Sequence, residues 1–180
     1  VKVEIPEAIH NELSRLLRRF LIVGGMPASV EAFVSSGAGD ESERIKQGIL
    51  SPYRDDFAKY RRRSDPRRLE KVFARIPQLI GRKFMYSHVD REDRSRELGA
   101  ALEMLCMARV AHKIRHSAAN GIPLRAEADE RRFKVLFADV GLVCRSAGLS
   151  ILDLEEAADP LLVNAGVVCE QFIGQHLVHR

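Results

Sequence analysis

The stretch Arg94–Val143, RSRELGAALEMLCMARVAHKIRHSAANGIPLRAEADERRFKVLFADVGLV, changes its hydrophobic period partway along its length. In its first part, apolar residues recur at the spacing of one helical face: Leu98, Ala101, Leu102 and Leu105. Around Arg109 the period shortens to two, as on a strand with two unlike faces. This first strand carries Val110, His112, Ile114 and His116 on one face.

A second strand-like run follows a passage rich in turn residues, Asn120-Gly121-Ile122-Pro123. Phe133, Val135 and Phe137 alternate there with more polar positions. The order helix, strand, polar hairpin, strand is typical of the end of a winged-helix module. We therefore expect a mainly α chain with a winged-helix domain.

The rest of the chain is mostly helical in its patterning. A first helix over Glu7–Ile22 has one apolar stripe, made of Ile9, Leu13, Leu16, Leu17 and Phe20. Three segments follow from these patterns: a helical section over 1–60, a winged-helix domain over 61–143, and the start of a further domain over 144–180. Short pieces of structure are expected at Phe84-Met85-Tyr86, a strand, and at Leu152–Ala157, a helix.

Composition places the chain among globular proteins without identifying a partner. It has 180 residues, 46% apolar and 30% charged, with a formal net charge of +4. No apolar run approaches the ~20 residues that span a bilayer, and no signal-peptide pattern opens the chain. Three cysteines without CxxC spacing favour a reducing, cytoplasmic setting. The start at Val1 and the end inside a helical pattern suggest a fragment.

The common catalytic and cofactor motifs are absent from the sequence. There is no phosphate loop, no GxGxxG, no GxSxG and no HExxH. Asp55 and Asp56 are adjacent on a helical pattern, so they point in different directions and cannot act together on one atom. We therefore expect no catalytic, cofactor or metal site within these residues.

Basic residues are the remaining candidates for function. In a winged helix, a helix enters the major groove and the hairpin contacts the DNA backbone, where Arg and Lys neutralise phosphates. The residues at the corresponding positions, which we predict to contact double-stranded DNA, are Arg94, Arg96, Lys113, Arg115, Arg131 and Arg132. A solvated surface or one that faces a protein is the open alternative.

Several strings in one order resemble the C-terminal region of a group of prokaryotic AAA-type ATPases. LIVGGMP at 21–27 looks like their segment of two glycines, an aromatic residue or Met, and Pro, and ILSPYRDDFAKY at 49–60 is similar to their I-x-x-x-Y-x-x-D-x-x-K-Y/H helix. FKVLFADVGL at 133–142 is close to their FK-l-y-l-x-D-x-GLL string. Arg109 departs from the pattern, since that family usually has glycine there, and a tight helix-to-strand turn is therefore not expected at this position.

This resemblance implies a non-catalytic segment that follows an ATPase core, with a DNA-binding or regulatory role. ATP and Mg²⁺ would then be cofactors of the parent protein. The alternative is a protein-interaction module that docks on that core or on a partner. A second alternative is part of a nuclease-like domain, because Glu170 matches the first acidic position of a PD-(D/E)xK pattern whose remaining motifs would lie downstream.

Overall fold

The computed structural model describes residues 5–37, 39–60, 64–123, 127–150 and 165–178. Within them the chain is mainly α-helical, with one antiparallel sheet of two strands. This confirms the predicted class. Among the described residues, none of the helices has the length and apolar character needed to cross a membrane.

The first half of the described chain is helical, and the second half contains helices and the two strands. Their bounds are α1 Glu7–Val23, α2 Pro27–Ser36, α3 Gly39–Asp56, a 3₁₀ turn Phe57–Tyr60, α4 Pro66–Leu79, α5 Tyr86–Val89, α6 Ser95–Met107, β1 Ala111–Ser117, β2 Ala128–Phe137, α7 Val140–Ser146 and α8 Ala165–Val178. The predicted helix at Leu152–Ala157 lies outside the described residues.

The hairpin forms where the hydrophobic period changes. Ala111 pairs with Phe137 and Arg115 with Phe133, and the register shifts between Arg115 and His116. The core side of β2 is buried at Phe133, Val135 and Phe137. The predicted sequence of helix, strand, hairpin and strand is thus confirmed for α6, β1 and β2.

The turn between α6 and β1 keeps a tight geometry although it contains arginine. Arg109 has φ 57°, in the left-handed region that favours glycine. Its N–H donates to the carbonyl of Cys106, and the N–H of Val110 donates to that of Leu105. These two bonds make a Schellman motif, and the buried side chains of Val110 and Leu105 complete it.

The predicted strand at Phe84-Met85-Tyr86 is wrong. Tyr86 begins the short helix α5, and Met85 is the extended residue that precedes it. Phe84 still reaches the sheet, because its N–H donates to the carbonyl of Phe133 at 2.9 Å. One backbone bond is too little to form a strand.

The main core lies between α4, α6 and the hairpin. Phe73 is central to it, with edge contacts to Phe57 and Phe137 at centroid distances of 5.5 and 5.3 Å. The helices contribute a further row of fully buried side chains: Leu69, Val72, Ile76, Leu98, Leu102 and Leu105. Apolar burial of this kind is the dominant stabilising term in folding.

A second core joins the two ends of the described chain through a buried carboxylate. Asp139 accepts hydrogen bonds from the N–H groups of Gly25, Gly141 and Leu142, at 2.8, 2.8 and 3.3 Å. It caps α7 and at the same time holds the turn after α1. Leu21–Val23, Val140, Cys144 and Val168 pack around this junction.

Glycine is required on both sides of that junction because two backbones touch. A Cβ on Gly141 would lie 2.5 Å from the carbonyl oxygen of Val23 and 2.7 Å from Cα of Gly24. A Cβ on Gly24 would meet Asp139 Oδ1 at 2.1 Å. The second core draws on all three predicted segments, and the domain boundaries stay a prediction.

Side chains from three elements satisfy the last carbonyls of α1. Lys46 Nζ donates to the carbonyl of Ile22 at 2.8 Å and Ser29 Oγ to that of Val23 at 2.9 Å. Cys144 Sγ donates to the carbonyl of Leu21. Lys46 is fully buried and also pairs with Glu43 at 2.6 Å. The end of α1 is therefore held firmly in place.

Helix α8 closes the outer edge of β2 with a side-chain amide. Gln171 Nε2 donates to the carbonyl of Phe137 at 2.7 Å, and Gln171 Oε1 accepts from the N–H of Phe137 at 2.9 Å. Leu136 is packed against Gly174 on the same helix. The amide thus bonds Phe137 as a peptide group of a third strand would.

Ion pairs hold the start of α6 against α4. Lys71 Nζ lies 2.7 Å from both Asp90 and Asp93, and Arg68 bonds Asp93 at 2.9 Å and Glu97 at 2.6 Å. The hydrogen bond from Lys71, followed by those from the N–H groups of Glu92 and Asp93, lowers the pKa of Asp90 to about 2.

We predict that Gly141→Ala destabilises the protein by ~1–3 kcal/mol, because the added methyl group must push two backbones apart. The measurement is urea denaturation. Gly48→Ala is the matched control: Gly48 lies in α3 with open space at its Cβ position, so alanine should stabilise the helix by up to ~1 kcal/mol. Equal effects at the two positions would contradict the close contact.

At the turn after α6, Arg109→Gly should raise the free energy of unfolding by about 0.5–1 kcal/mol. Glycine relieves the left-handed backbone, and its larger entropy in the unfolded chain offsets part of the gain. Arg109→Val should lower stability, since a β-branched residue is least tolerated there. Denaturation midpoints of the three proteins test this, and a loss of stability with glycine would refute it.

Asp90 should contribute to the acid sensitivity of the fold. Its pKa in the folded state is below its ordinary value of 3.8, so its stabilising effect is present above about pH 4 and is lost as the pH falls towards about 2. Asp90→Asn should therefore be less stable at neutral pH and lose less stability over this range. Melting temperatures against pH measure this, with Asp55→Asn in α3 as the control that should follow the wild type.

Candidate interaction surfaces

The outer face of α1, together with Ile5 just before its N-cap Pro6, carries a row of uncovered aliphatic side chains, which we call the α1 stripe. Its members are 45–53% exposed: Ile5, Ile9, Leu13, Leu16 and Leu17. The predicted stripe does lie on one helical face, but the described part of the chain leaves most of it open to solvent. Only Phe20 at its end is partly covered, 5.7 Å from Phe172 of α8.

Helix α1 is buried only at its C-terminal end. Leu21, Ile22 and Val23 are held in the second core, whereas residues 7–13 are exposed. Large apolar side chains that share one exposed face mark interaction sites in soluble proteins. An amphipathic helix of this kind binds in an apolar groove or beside another helix.

Lys113 is the predicted DNA contact that the structure places least favourably. Its side chain is 14% exposed and lies on the core side of the hairpin, with Nζ 2.9 Å from Glu103 Oε1. The same Nζ lies 4.5 Å from the centroid of the Phe133 ring. Its charge is thus satisfied within the fold by a carboxylate and an aromatic face.

Two further predicted contacts are paired on the hairpin itself. Arg115 bonds Glu130 at 2.7 Å, and Arg132 lies 3.5 Å from Asp129. The hydrogen bond to Glu130 raises the pKa of Arg115. Each pair is exposed, so a phosphate could compete for the arginine, but the local net charge is smaller than the sequence indicates.

The other three predicted residues are exposed: Arg94, Arg96 and Arg131. Arg94 precedes α6 and Arg96 lies in its first turn. Arg131 is near the far end of the hairpin, and its N–H donates to Asp129 at 2.7 Å. None of the three forms an ion pair with a carboxylate in the described ranges.

The exposed face of α6 has few side chains of the kind that recognise bases in the major groove of DNA. It presents Arg96, Ala100, Glu103 and Met107. One arginine and one carboxylate cancel in charge, and base readout in the major groove relies on Arg, Lys, Asn and Gln. The structure thus gives the helix that would enter the groove a nearly neutral surface.

An open depression of about 380 Å³ lies on the outer face of the hairpin. Ile114 and Phe133 are among its apolar lining residues, and its cations are Lys83, Arg115, Arg132 and Lys134. Lys83 and Lys134 are not among the predicted contacts: the alternation in β2 places Lys134 opposite Phe133, Val135 and Phe137, whereas only the fold brings Lys83 to the hairpin. Lys134 is paired with Glu170 at 2.9 Å.

Glu170 lies in this ion pair and not in a metal site. Across residues 5–37, 39–60, 64–123, 127–150 and 165–178, no group of three or more His, Cys, Asp and Glu side chains is arranged to hold a metal ion. Glu170 remains a prediction for a nuclease-like domain in a longer protein.

The thiols of Cys106, which is half-buried, and Cys144, which is buried, have the chemistry of core residues. Burial raises the pKa of Cys106 to about 11, with a smaller effect from Glu103, and burial raises that of Cys144 to about 12. Both stay protonated near neutral pH and are poor nucleophiles.

Comparison with known proteins gives a family and no activity. No curated protein and no solved structure matches the chain. The family model described as a domain of unknown function, DUF8612, matches residues 14–153, which include α2 to α7 and most of α1. The chain therefore belongs to the DUF8612 family.

Proposed function

We propose that the chain is a non-catalytic, regulatory segment of a prokaryotic AAA-type ATPase and that it acts by binding protein through the α1 stripe. The observation that carries the proposal is the row of half-exposed aliphatic residues at one end of a firmly held helix. The strings at 21–27, 49–60 and 133–142 support the ATPase as parent. In this proposal ATP and Mg²⁺ bind to the core of that larger protein.

The α1 stripe has enough apolar surface for a specific contact. Burying the remaining half of an aliphatic side chain contributes about 1 kcal/mol, so five such residues supply about 5 kcal/mol before the costs of association. The helix is already formed and anchored, which reduces the entropy lost on binding. The ATPase core or a partner protein can supply the second surface.

DNA binding is the second candidate function, and the hairpin is the surface that favours it. Lys83, Arg115, Arg132 and Lys134 line the depression, and Arg131 precedes Arg132 in the same strand. Phosphate contacts by such residues position a protein on duplex DNA without reading its sequence. The ion pairs at three of these cations make this proposal weaker than docking through α1.

We place this function in the cytoplasm. Cys106, Cys144 and Cys169 are all free thiols. A reducing compartment keeps thiols in this state.

The ATP hydrolysis rate of the full-length gene product tests the leading proposal. Leu13→Gln combined with Leu16→Gln removes the middle of the α1 stripe and should change the rate about 5-fold or more, the size of an ordinary coupling between sites. Val34→Gln is the control, because Val34 is 75% exposed on α2 and outside the stripe. A gene product without ATPase activity, or equal rates in all three proteins, would rule the proposal out.

Fluorescence anisotropy with duplex DNA tests the second candidate. Binding through the hairpin should be measurable at ~50 mM salt and weaken steeply as salt rises, with a log–log slope of about −0.9 per phosphate neutralised. Arg131→Ala should reduce that slope by about one contact, while Arg44→Ala on α3 should not. If no duplex binds at low salt, the hairpin does not bind DNA.

A further inference from the structure

We propose that α1 pairs antiparallel with α1 of a second copy of this chain, which makes the protein a two-fold dimer. The inference rests on the proposed use of the α1 stripe and names its partner. Ile9, Leu13, Leu16 and Phe20 are separated by 4, 3 and 4 residues. This is the alternation of core positions in a pair of helices that pack side by side, and we call these four residues the seam.

The seam is complementary to itself when the second helix runs the other way. With the two-fold axis between Leu13 and Leu16, each Leu13 lies opposite Leu16 of the second copy. The same alignment places Ile9 opposite Phe20 of the second copy. Each layer thus joins two large apolar side chains, and Ile9, Leu13 and Leu16, now 48–52% exposed, become covered. Leu17, beside the seam, extends the buried surface.

Charges beside the seam favour the same orientation. Glu12 and Arg19 are seven residues apart, so they lie on one side of the seam at equivalent positions. In the antiparallel pair, flanking positions of the same type face each other, and Glu12 comes to lie near Arg19 of the second copy. The two-fold axis repeats this contact. In a parallel pair Glu12 would face Leu17 of the second copy, and no opposite charges would meet.

Two features of the single chain are compatible with this arrangement. Glu12 now bonds Arg15 on its own helix at 2.9 Å, an exposed pair that can exchange for a contact with the second copy. Helix α1 has 17 residues and is about 25 Å long, and only its C-terminal end enters the second core. The antiparallel arrangement places the two globular bodies at opposite ends of the helix pair.

Phe20 supplies a fixed end to the seam. Its ring contacts Phe172 at 5.7 Å and His176 at 6.1 Å, both on α8. Ile9 of the second copy would therefore pack on a ring that the fold already holds in place, which lowers the cost of ordering the contact.

Sedimentation equilibrium tests the dimer and its orientation together. The wild-type chain should have twice the monomer mass of 20.3 kDa. Glu12→Arg alone, and Arg19→Glu alone, should each raise the dimer dissociation constant about tenfold, because both copies then present like charges. An equal mixture of the two variants should dimerise like the wild type, because both contacts between the two charged positions again join a cation of one copy to an anion of the other.

Seam and control variants separate dimerisation from misfolding. Leu13→Gln with Leu16→Gln should be monomeric with an unchanged circular dichroism spectrum, since both residues are exposed, and Val34→Gln should remain dimeric.

A monomeric wild type, or a dimer that the charge variants and their mixture leave unchanged, would overturn the inference. If the chain is monomeric but the ATPase rate responds to the seam variant, the proposed function survives with another partner. If the chain dimerises and the rate does not respond, the dimer survives and the proposed function fails.

Discussion

The carboxylate of Asp139 is the interaction on which the arrangement of the whole chain depends. It accepts three backbone hydrogen bonds, one from the turn after α1 and two from the start of α7. The donor at Gly25 is 114 residues away in the sequence, whereas the donor at Gly141 is close by. A buried carboxylate is tolerated only when hydrogen bonds replace its lost hydration, and here they also bring Gly24 and Gly141 into backbone contact.

This junction determines what α1 can present to solvent. Because the carbonyls of Leu21, Ile22 and Val23 are satisfied by Cys144, Lys46 and Ser29, the helix cannot turn about its axis without breaking buried bonds. The direction of the stripe is therefore set by residues from α2, α3 and α7. Because α1 is held by these buried bonds, binding of a partner to the α1 stripe can be transmitted to the second core.

Local patterns in the sequence predict most of the described elements but not their long-range partners. The change of period near Arg109 is a short-range signal, and the hairpin forms there; the 4-3-4 spacing in α1 predicted its apolar face. No local rule shows that Lys46 is buried or that Lys113 meets Glu103, because these contacts arise only when separate elements pack. For the same reason the sequence does not show that Lys113, Arg115 and Arg132 are paired with carboxylates. At Arg109 the residue type does not indicate the backbone conformation either: the hydrogen bonds that end α6 hold an arginine in a turn that favours glycine.

The amide of Gln171 has a consequence for how copies of this chain can associate. A two-stranded sheet has outer edges whose peptide groups attract further strands, and uncontrolled pairing of that kind leads to aggregates. On β2 the carbonyl of Phe133 is occupied by Phe84, and both peptide groups of Phe137 are occupied by a helical side chain. Helix α8 therefore covers the β2 edge of the sheet at Phe137, and a strand of a second molecule cannot pair with β2 at that residue.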